Sequence, residues 1–447
     1  MIFLKVRNRI NQLGRSPTAK VMVLTFLGLL IAWGGDILIA AILGASQTTD
    51  ALIVAVGLPR FVDTIAREGT RQSLVPLFLE RQNSLGKAKY YQLISGVVNL
   101  ALIVGIVLTI LLEIVAPWIL NVIAPGLSLA GKTEATFFFR LTVPMLLFAP
   151  TIAILSVVLN SQKRFGVVAL RNAIAPIFII IAIGCAQYLQ KNIAPWTALA
   201  YTVSSGIFFT LIFFDVKEIG YEHKWKAWIS KQDLARLSLA GYWPTLGFTV
   251  RQIALMVKTL LLPSLATVGG VSIVYFAQRV SFAIQTLVGV SIATTSLPTL
   301  TEHELAGDTS KLSSVLRQSL FRSLVITTPI ALFILLFNKE IIASIYGHGS
   351  FEAFSVLQTS QVFLWLGLSS ILTSLIPIFE AVLYAKKAYR KVVFVMIGMA
   401  VVEVFLSWLF WKFYGLVGIA ASIFFGSIIY VLIIFSLSTN QFFVKND

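Results

Sequence analysis

Cysteine and histidine are nearly absent from this chain of 447 residues, with one of the former and three of the latter. A single cysteine cannot close a disulfide within the chain. His223, His303 and His348 are scattered without metal-ligand spacing, and no nucleotide-phosphate loop or catalytic triad accompanies them. ATP-driven transport by this chain alone is therefore not expected. No cofactor is expected, and the protein is not expected to be an enzyme. Charge is also scarce, at 12% of residues against 57% hydrophobic, which leaves less polar surface than a soluble domain requires. Acidic residues are the scarcer sign: 19 Asp and Glu against 35 Lys and Arg, for a formal net charge of +16. The N-terminus (MIFLKVRNRINQLGRS) lacks an apolar run followed by a small-residue cleavage site and reads as a retained segment.

What the chain has is long apolar stretches. Twelve are found, near 21–43, 51–79, 92–118, 135–159, 166–188, 195–214, 239–262, 269–299, 313–337, 353–384, 391–413 and 416–437. Roughly 20 apolar residues carry a helix across a hydrocarbon core of about 30 Å, so an all-α polytopic membrane protein is predicted. The basic residues between the spans keep to alternate gaps. Lys5, Arg7, Arg9, Arg15 and Lys20 share a side with Arg81, Lys87, Lys89, Lys217, Lys224, Lys226, Lys231, Lys386, Lys387 and Arg390. The opposite side holds only Lys132, Arg140, Lys191, Lys339 and Lys412. Positive charge collects on the cytoplasmic face, so both termini are placed in the cytoplasm and the chain in an inner membrane. A soluble chain this basic would point to nucleic acid; here the location of the charge points to membrane lipids.

The halves echo each other. Ser73-Leu74-Val75-Pro76 with Glu80 returns as Ser296-Leu297-Pro298 with Glu302, each ending the second span of its half. Six spans per half predict a parallel repeat: two six-helix lobes related by pseudo-two-fold symmetry around a central cavity. The expected division is a cytoplasmic segment 1–20, an N-lobe 21–214, an amphipathic linker 215–238, a C-lobe 239–437 and a cytoplasmic tail 438–447. The linker carries Trp225 and Trp228 among Lys224, Lys226 and Lys231. It reads either as a helix lying on the inner interface or as a solvated connection.

Ionisable groups within the spans are costly and mark a partner or an aqueous path. Asp36 is in span one, and Arg60, Asp63 and Glu68 are in span two. Arg251 and Lys258 are in span seven, and Arg279 is in span eight. These are equivalent span pairs of the two halves. The cations suit a multiply charged anion such as a pyrophosphate, because a guanidinium pairs two oxygens at once. Arg60, Arg251, Lys258 and Arg279 are therefore the candidate substrate-binding residues. Asp36, Asp63 and Glu68 are the candidate ion-coupling or gating residues, with Na+ or H+ as the coupling ion. Two simpler readings stand beside these. Arg60, Asp63 and Arg67 are spaced to pair along one helix face, and Lys258 lies within snorkelling reach of the outer interface. Asp50, at the head of span two, reads as a helix cap, and Glu380 as structural.

The run Gly44-Ala45-Ser46-Gln47-Thr48-Thr49-Asp50-Ala51, then Leu58-Pro59, Arg67-Glu68-Gly69 and Leu74-Val75-Pro76, resembles the MurJ/MviN lipid II flippases. Ala124-Pro125-Gly126, Leu159-Asn160-Ser161 with Arg164-Phe165, Tyr275-Phe276-Ala277-Gln278-Arg279 and Gly347 to Phe351 continue the likeness in order. The resemblance implies the multidrug/oligosaccharidyl-lipid/polysaccharide exporter superfamily, with lobes opening alternately to each side. It also shows departures. The family's span-one arginines fall on Leu29 and Gly35 and its span-two arginine on Asp63, while Asp36 and Arg279 match. Twelve spans are two fewer than lipid II flippases have.

The expected function is an alternating-access flippase of a polyprenyl-diphosphate-linked saccharide, either lipid II or a related envelope or exopolysaccharide precursor. Membrane lipids and envelope-synthesis proteins are the expected partners. Two competing readings remain: a cation-coupled multidrug-type exporter of small amphiphiles, and a non-transporting scaffold relative.

Overall fold

A computed structural model describes residues 17–443 apart from 163, 165 and 387. Most of the predicted N-terminal segment and the end of the tail lie outside the described residues. The described chain is helical. In order it forms α1 (Pro17–Leu43), α2 (Gln47–Leu85), α3 (Lys87–Ile123), α4 (Leu129–Thr142), α5 (Ala149–Ser161), α6 (Gly166–Tyr188), α7 (Ile193–Glu218) and α8 (Lys231–Met256). There follow α9 (Leu262–Ala266), α10 (Gly270–Gln285), α11 (Ser291–Leu305), α12 (Thr309–Tyr346), α13 (Ala353–Thr373), α14 (Ile376–Ala385) and α15 (Tyr389–Phe443).

Among the described residues, ten helical segments are long and apolar enough to cross a membrane. Two features relate that number to twelve predicted spans. Helix α2 covers the predicted second span but carries Arg60, Asp63, Arg67 and Glu68. Helix α15 covers spans eleven and twelve together, divided at Gly415 by a non-helical backbone (φ 56°, ψ −134°).

Proline divides other spans. Pro144 and Pro150 split the fourth into α4, a 3-10 turn at Val143–Leu147, and α5. In a bilayer, carbonyls freed by such a break need a protein donor. Thr202 of α7 supplies one, its hydroxyl donating to the carbonyls of Leu141 at 2.7 Å and Thr142 at 3.2 Å. Spans seven and eight each carry a π-helical segment, at Val257–Leu261 and Thr286–Val290. Such a segment inserts an extra residue in a turn and re-aims the side chains around it.

The chain forms two compact units. One takes the chain up to Leu38, then Val54–Val122 and Leu129–Phe248; the other takes Ile39–Ile53, Ile123–Ser128 and Thr249 onward. The boundary thus falls inside α8, and two segments at helix ends group with the C-terminal half of the chain. The first unit has a core around Phe78, Ile94, Leu155, Val158, Phe208 and Ile212. The second has a core around Leu300, Leu312, Ile378, Val382, Leu383 and Ile434. Outside these cores, large apolar side chains remain exposed. Along α3, Val107, Ile110, Leu111, Ile114 and Trp118 form a stripe at helical spacing that suits lipid contact. Serine hydroxyls join helices inside the second unit, Ser323 to Ser374 at 3.0 Å and Ser407 to Ser422 at 2.7 Å, as polar contacts do between membrane helices.

The linker is not an amphipathic helix. Helix α7 continues to Glu218, and α8 begins at Lys231 behind a cap in which the Asp233 amide donates to Ser230 Oγ at 3.0 Å. Residues 219–230 between them are a non-helical connection. The backbone here bonds to side chains of α3, which replaces the internal bonding of a helix.

Candidate functional site

The first unit holds Asp36, Arg60, Asp63 and Glu68. Asp36 on α1 and Asp63 on α2 are buried. Asp63 lies one turn beyond Arg60 and is paired with Arg171 of α6, whose Nη2 donates to its carboxylate. The Arg171 guanidinium also lies 5.8 Å from the Phe208 ring of α7. Asp63 therefore joins three helices of this unit in one charged contact. Arg60 is half-buried, with its guanidinium 5.9 Å from the Tyr201 ring. Glu68 sits beside Arg67 at 3.8 Å.

The second unit holds Arg251, Lys258 and Arg279. Arg251 is exposed, although it lies ten residues inside the membrane-length helical stretch that starts at Gly241. The carboxylates acting on it are Glu380 of α14 and Glu403 of α15. Glu380 is buried and accepts from the Tyr430 hydroxyl at 2.9 Å. Lys258 is placed by the Val257–Leu261 π segment, is buried, and donates to Glu403. It would reach an anionic ligand only after that pair opened. Arg279 on α10 is half-buried, 5.9 Å from the Tyr275 ring.

Three members of this arrangement have no site role in the sequence analysis: Glu380 reads as structural there, and Arg171 and Glu403 are not singled out. For two of them a signal was available. Arg171 lies within the predicted fifth span, and Glu403 is an acid within an otherwise apolar eleventh span. A lone charge there requires an opposite one. Tyr430 carried no such signal.

Elsewhere the second unit gathers backbone closely. Ser350 N donates to Ala41 O at 2.7 Å, Gln47 Nε2 donates to Ser128, and Asp50 accepts from Ser272. The segments Ile39–Ile53 and Ile123–Ser128 are held in this unit by these contacts. The motif residues Gly44 to Ala51 thus form an interhelical joint.

The comparisons agree with this architecture. The family model described as lipid II flippase MurJ matches residues 39–446. The lipid II flippase MurJ of Burkholderia cenocepacia is 26% identical over 433 residues, covering 92% of this chain and 81% of the relative. Among solved structures, a lipid II flippase MurJ in an inward closed conformation aligns with a TM-score of 0.81 at 22% identity, covering 95% of this chain and 91% of that one. An inward-facing multidrug resistance MATE transporter of the MOP superfamily aligns with a TM-score of 0.77 at 16% identity, covering 93% and 94%.

Proposed function

We propose, for a chain that belongs to the lipid II flippase MurJ family, that it moves a polyprenyl-diphosphate-linked saccharide across the inner membrane by alternating access. Lipid II or a related envelope precursor is the substrate class. Both termini lie in the cytoplasm. The observation that carries the reading is Arg251: a cationic residue that keeps exposed surface ten residues inside a membrane-length helical stretch. A cation in that position faces water or a partner, because facing lipid is too costly. Diphosphate oxygens match its planar donors, and Glu380 and Glu403 are the carboxylates whose charge acts on it. Arg279 serves the same anion from α10, and Arg60 is the first unit's candidate contact with the transported substrate. Lys258 joins them when its pair with Glu403 opens. Asp36, Asp63 and Glu68 couple the cycle to Na+ or H+ or gate it, with Asp63 acting through Arg171.

The test is transport of a fluorescent short-chain diphosphate-linked saccharide into proteoliposomes. Arg251→Ala with Arg279→Ala should abolish transport, while the protein remains monodisperse and helical. Full activity in that double variant removes the binding assignment. Equal transport with and without imposed Na+ and pH gradients removes the coupling assignment. Transport of cationic dyes in preference to the diphosphate lipid would favour the multidrug-type alternative, which the basic residues of the second unit argue against.

A further inference from the structure

The ends of three helices meet at the connection between α7 and α8, on the side that the basic loops assign to the cytoplasm. Helix α3 begins at Lys87, α7 ends at Glu218 and α8 begins at Lys231. Residues 219–230 are pinned along α3. Tyr91 Oη donates to the Ile219 carbonyl at 2.8 Å. Asn99 Nδ2 donates to the carbonyls of Lys224, Trp225 and Ala227 at 3.3, 3.0 and 2.8 Å. Lys224 N donates to Ser95 Oγ at 3.1 Å. Gly96 lets the loop lie close: a Cβ there would meet Ile229 N at 2.8 Å and the Trp228 carbonyl carbon at 2.9 Å.

With one side of the loop committed to α3, the other presents two indoles. Trp225 is 73% and Trp228 70% exposed. Lys224 and Lys226 are exposed beside them, on a turn closed by Ala227 N donating to Lys224 O at 3.0 Å. A row of rings leads from Trp225 back to α3: His223 at 4.4 Å, Tyr221 at 6.0 Å, Tyr91 at 5.7 Å and Tyr90 at 5.7 Å between successive centroids. It ends at a cleft lined by Lys87, Tyr90, Tyr91, Gln162 and Ile219.

Tryptophan favours the membrane–water boundary, where its body meets acyl chains and its N–H meets headgroups. Two tryptophans fixed in place and interleaved with lysines therefore match a lipid surface of negative charge. A zwitterionic headgroup would bring its own cation against these lysines. We propose that this face seats an anionic phospholipid of the inner leaflet. Trp225 and Trp228 contact the upper acyl chains, Lys224 and Lys226 take the phosphodiester, and the Lys87 cleft takes the polar end of the headgroup. The seat lies wholly in the first unit and uses none of the residues assigned to the transported substrate, so its failure leaves the transport reading intact.

The test uses the full chain in nanodiscs containing brominated phosphatidylglycerol or brominated phosphatidylcholine. The chain has nine tryptophans, so subtracting the emission of Trp225→Phe/Trp228→Phe isolates the two of interest. Both lipids should quench this difference signal. In mixed bilayers, phosphatidylglycerol should be preferred by about fivefold per engaged lysine. Lys87→Ala/Lys224→Ala/Lys226→Ala should equalise the two lipids while leaving the quenching in place. Three results overturn the proposal: no quenching by either lipid, no preference for phosphatidylglycerol in mixed bilayers with the lysines intact, or loss of the preference when inorganic phosphate competes at millimolar concentration. Circular dichroism and gel filtration confirm that each variant is folded.

Discussion

Asp50 caps a helix to which it does not belong. Its Oδ1 accepts the backbone amide of Ser272 at 2.7 Å and the Ser272 hydroxyl at 2.8 Å. Ser272 is the third residue of α10, whose own cap position is Gly269, left-handed at φ 79° and without a side chain to offer. Asp50 supplies the missing acceptor from α2. It is free to do so because Ser46 serves α2, with Thr49 N donating to Ser46 Oγ at 3.3 Å. The expectation that Asp50 is a cap therefore holds, with the helix changed.

Loss of this cap should be measurable. Asp50→Ala leaves the Ser272 amide of α10 without its acceptor, while the Ser272 hydroxyl keeps the Gly269 carbonyl at 2.9 Å, and N-cap removal costs about 1 kcal/mol. Asp50→Asn keeps a carbonyl oxygen and should retain most of the stability. Thermal unfolding of the detergent-solubilised protein distinguishes them, with the alanine variant expected to unfold first. Identical midpoints for both variants and the parent would mean that Ser272 finds another acceptor.

The pair of buried Lys258 and half-buried Glu403 makes a sharper prediction. Removing one partner of a fully buried ion pair costs about 3–5 kcal/mol. Lys258→Met should destabilise by less than that, because Glu403 keeps some solvent contact and Arg251 also acts on it. Adding Glu403→Leu removes the stranded carboxylate and should restore stability, because an apolar replacement of both partners is neutral or stabilising. A thermal double-mutant cycle measures this. A double variant as unstable as Lys258→Met would show that packing around the π segment, not charge, sets the cost.

The helices were legible because hydropathy alone specifies a membrane span, and Arg60, Asp63, Arg251 and Arg279 stood out as charges within apolar runs. Their partners were less legible. Asp63 has a local candidate at helical spacing in Arg60, yet its contact with Arg171 comes from another helix, and no sequence period encodes that. The π segment that turns Lys258 inward leaves no pattern either, since it changes side-chain direction without changing composition. The linker stayed open between two readings for a related reason. Tryptophan and lysine at 224–228 fit an amphipathic helix as well as a connection, and the hydrogen bonds that decide the backbone come from Ser95 and Asn99 on α3.

That linker also carries a pH dependence. His223 Nε2 lies 3.0 Å from Asn99 Oδ1 and Nδ1 lies 2.7 Å from the Tyr221 hydroxyl. Asn99 directs its NH2 group at three carbonyls, so its oxygen accepts from Nε2–H and Nδ1 is left to accept from Tyr221. Burial holds the imidazole below its ordinary value of 6.5 and pushes the Tyr221 phenol up to about 12. The unfolded chain then binds the proton more readily than the folded one, so stability rises with pH across the window between the two values. The contribution is complete above pH 6.5 and declines as pH falls through that value toward the lowered one. Trp225, stacked edge-on to His223 at 4.4 Å, reports it. Its emission should titrate with a midpoint below 6.5, and His223→Gln should abolish the titration. A midpoint above 6.5 would contradict the burial argument.

Gly126 gives the motif Ala124-Pro125-Gly126 a physical reason. A Cβ at this position would sit 1.9 Å from the carbonyl oxygen of Ser264 in α9 and 2.5 Å from its carbon. The obstacle is backbone, so no rotamer change relieves it. Gly126→Ala should displace α9 or the segment Ile123–Ser128 and cost about 1–3 kcal/mol, as overpacking does. Gly184 of α6 is the control. No atom lies within 4 Å of the Cβ it would gain, and alanine exceeds glycine in helix propensity by about 1 kcal/mol. Gly184→Ala should therefore be neutral or stabilising. Because both substitutions add one methyl group to the same chain, opposite shifts in thermal midpoint isolate the close approach at Gly126. Matching shifts would mean that the two backbones are not in contact there.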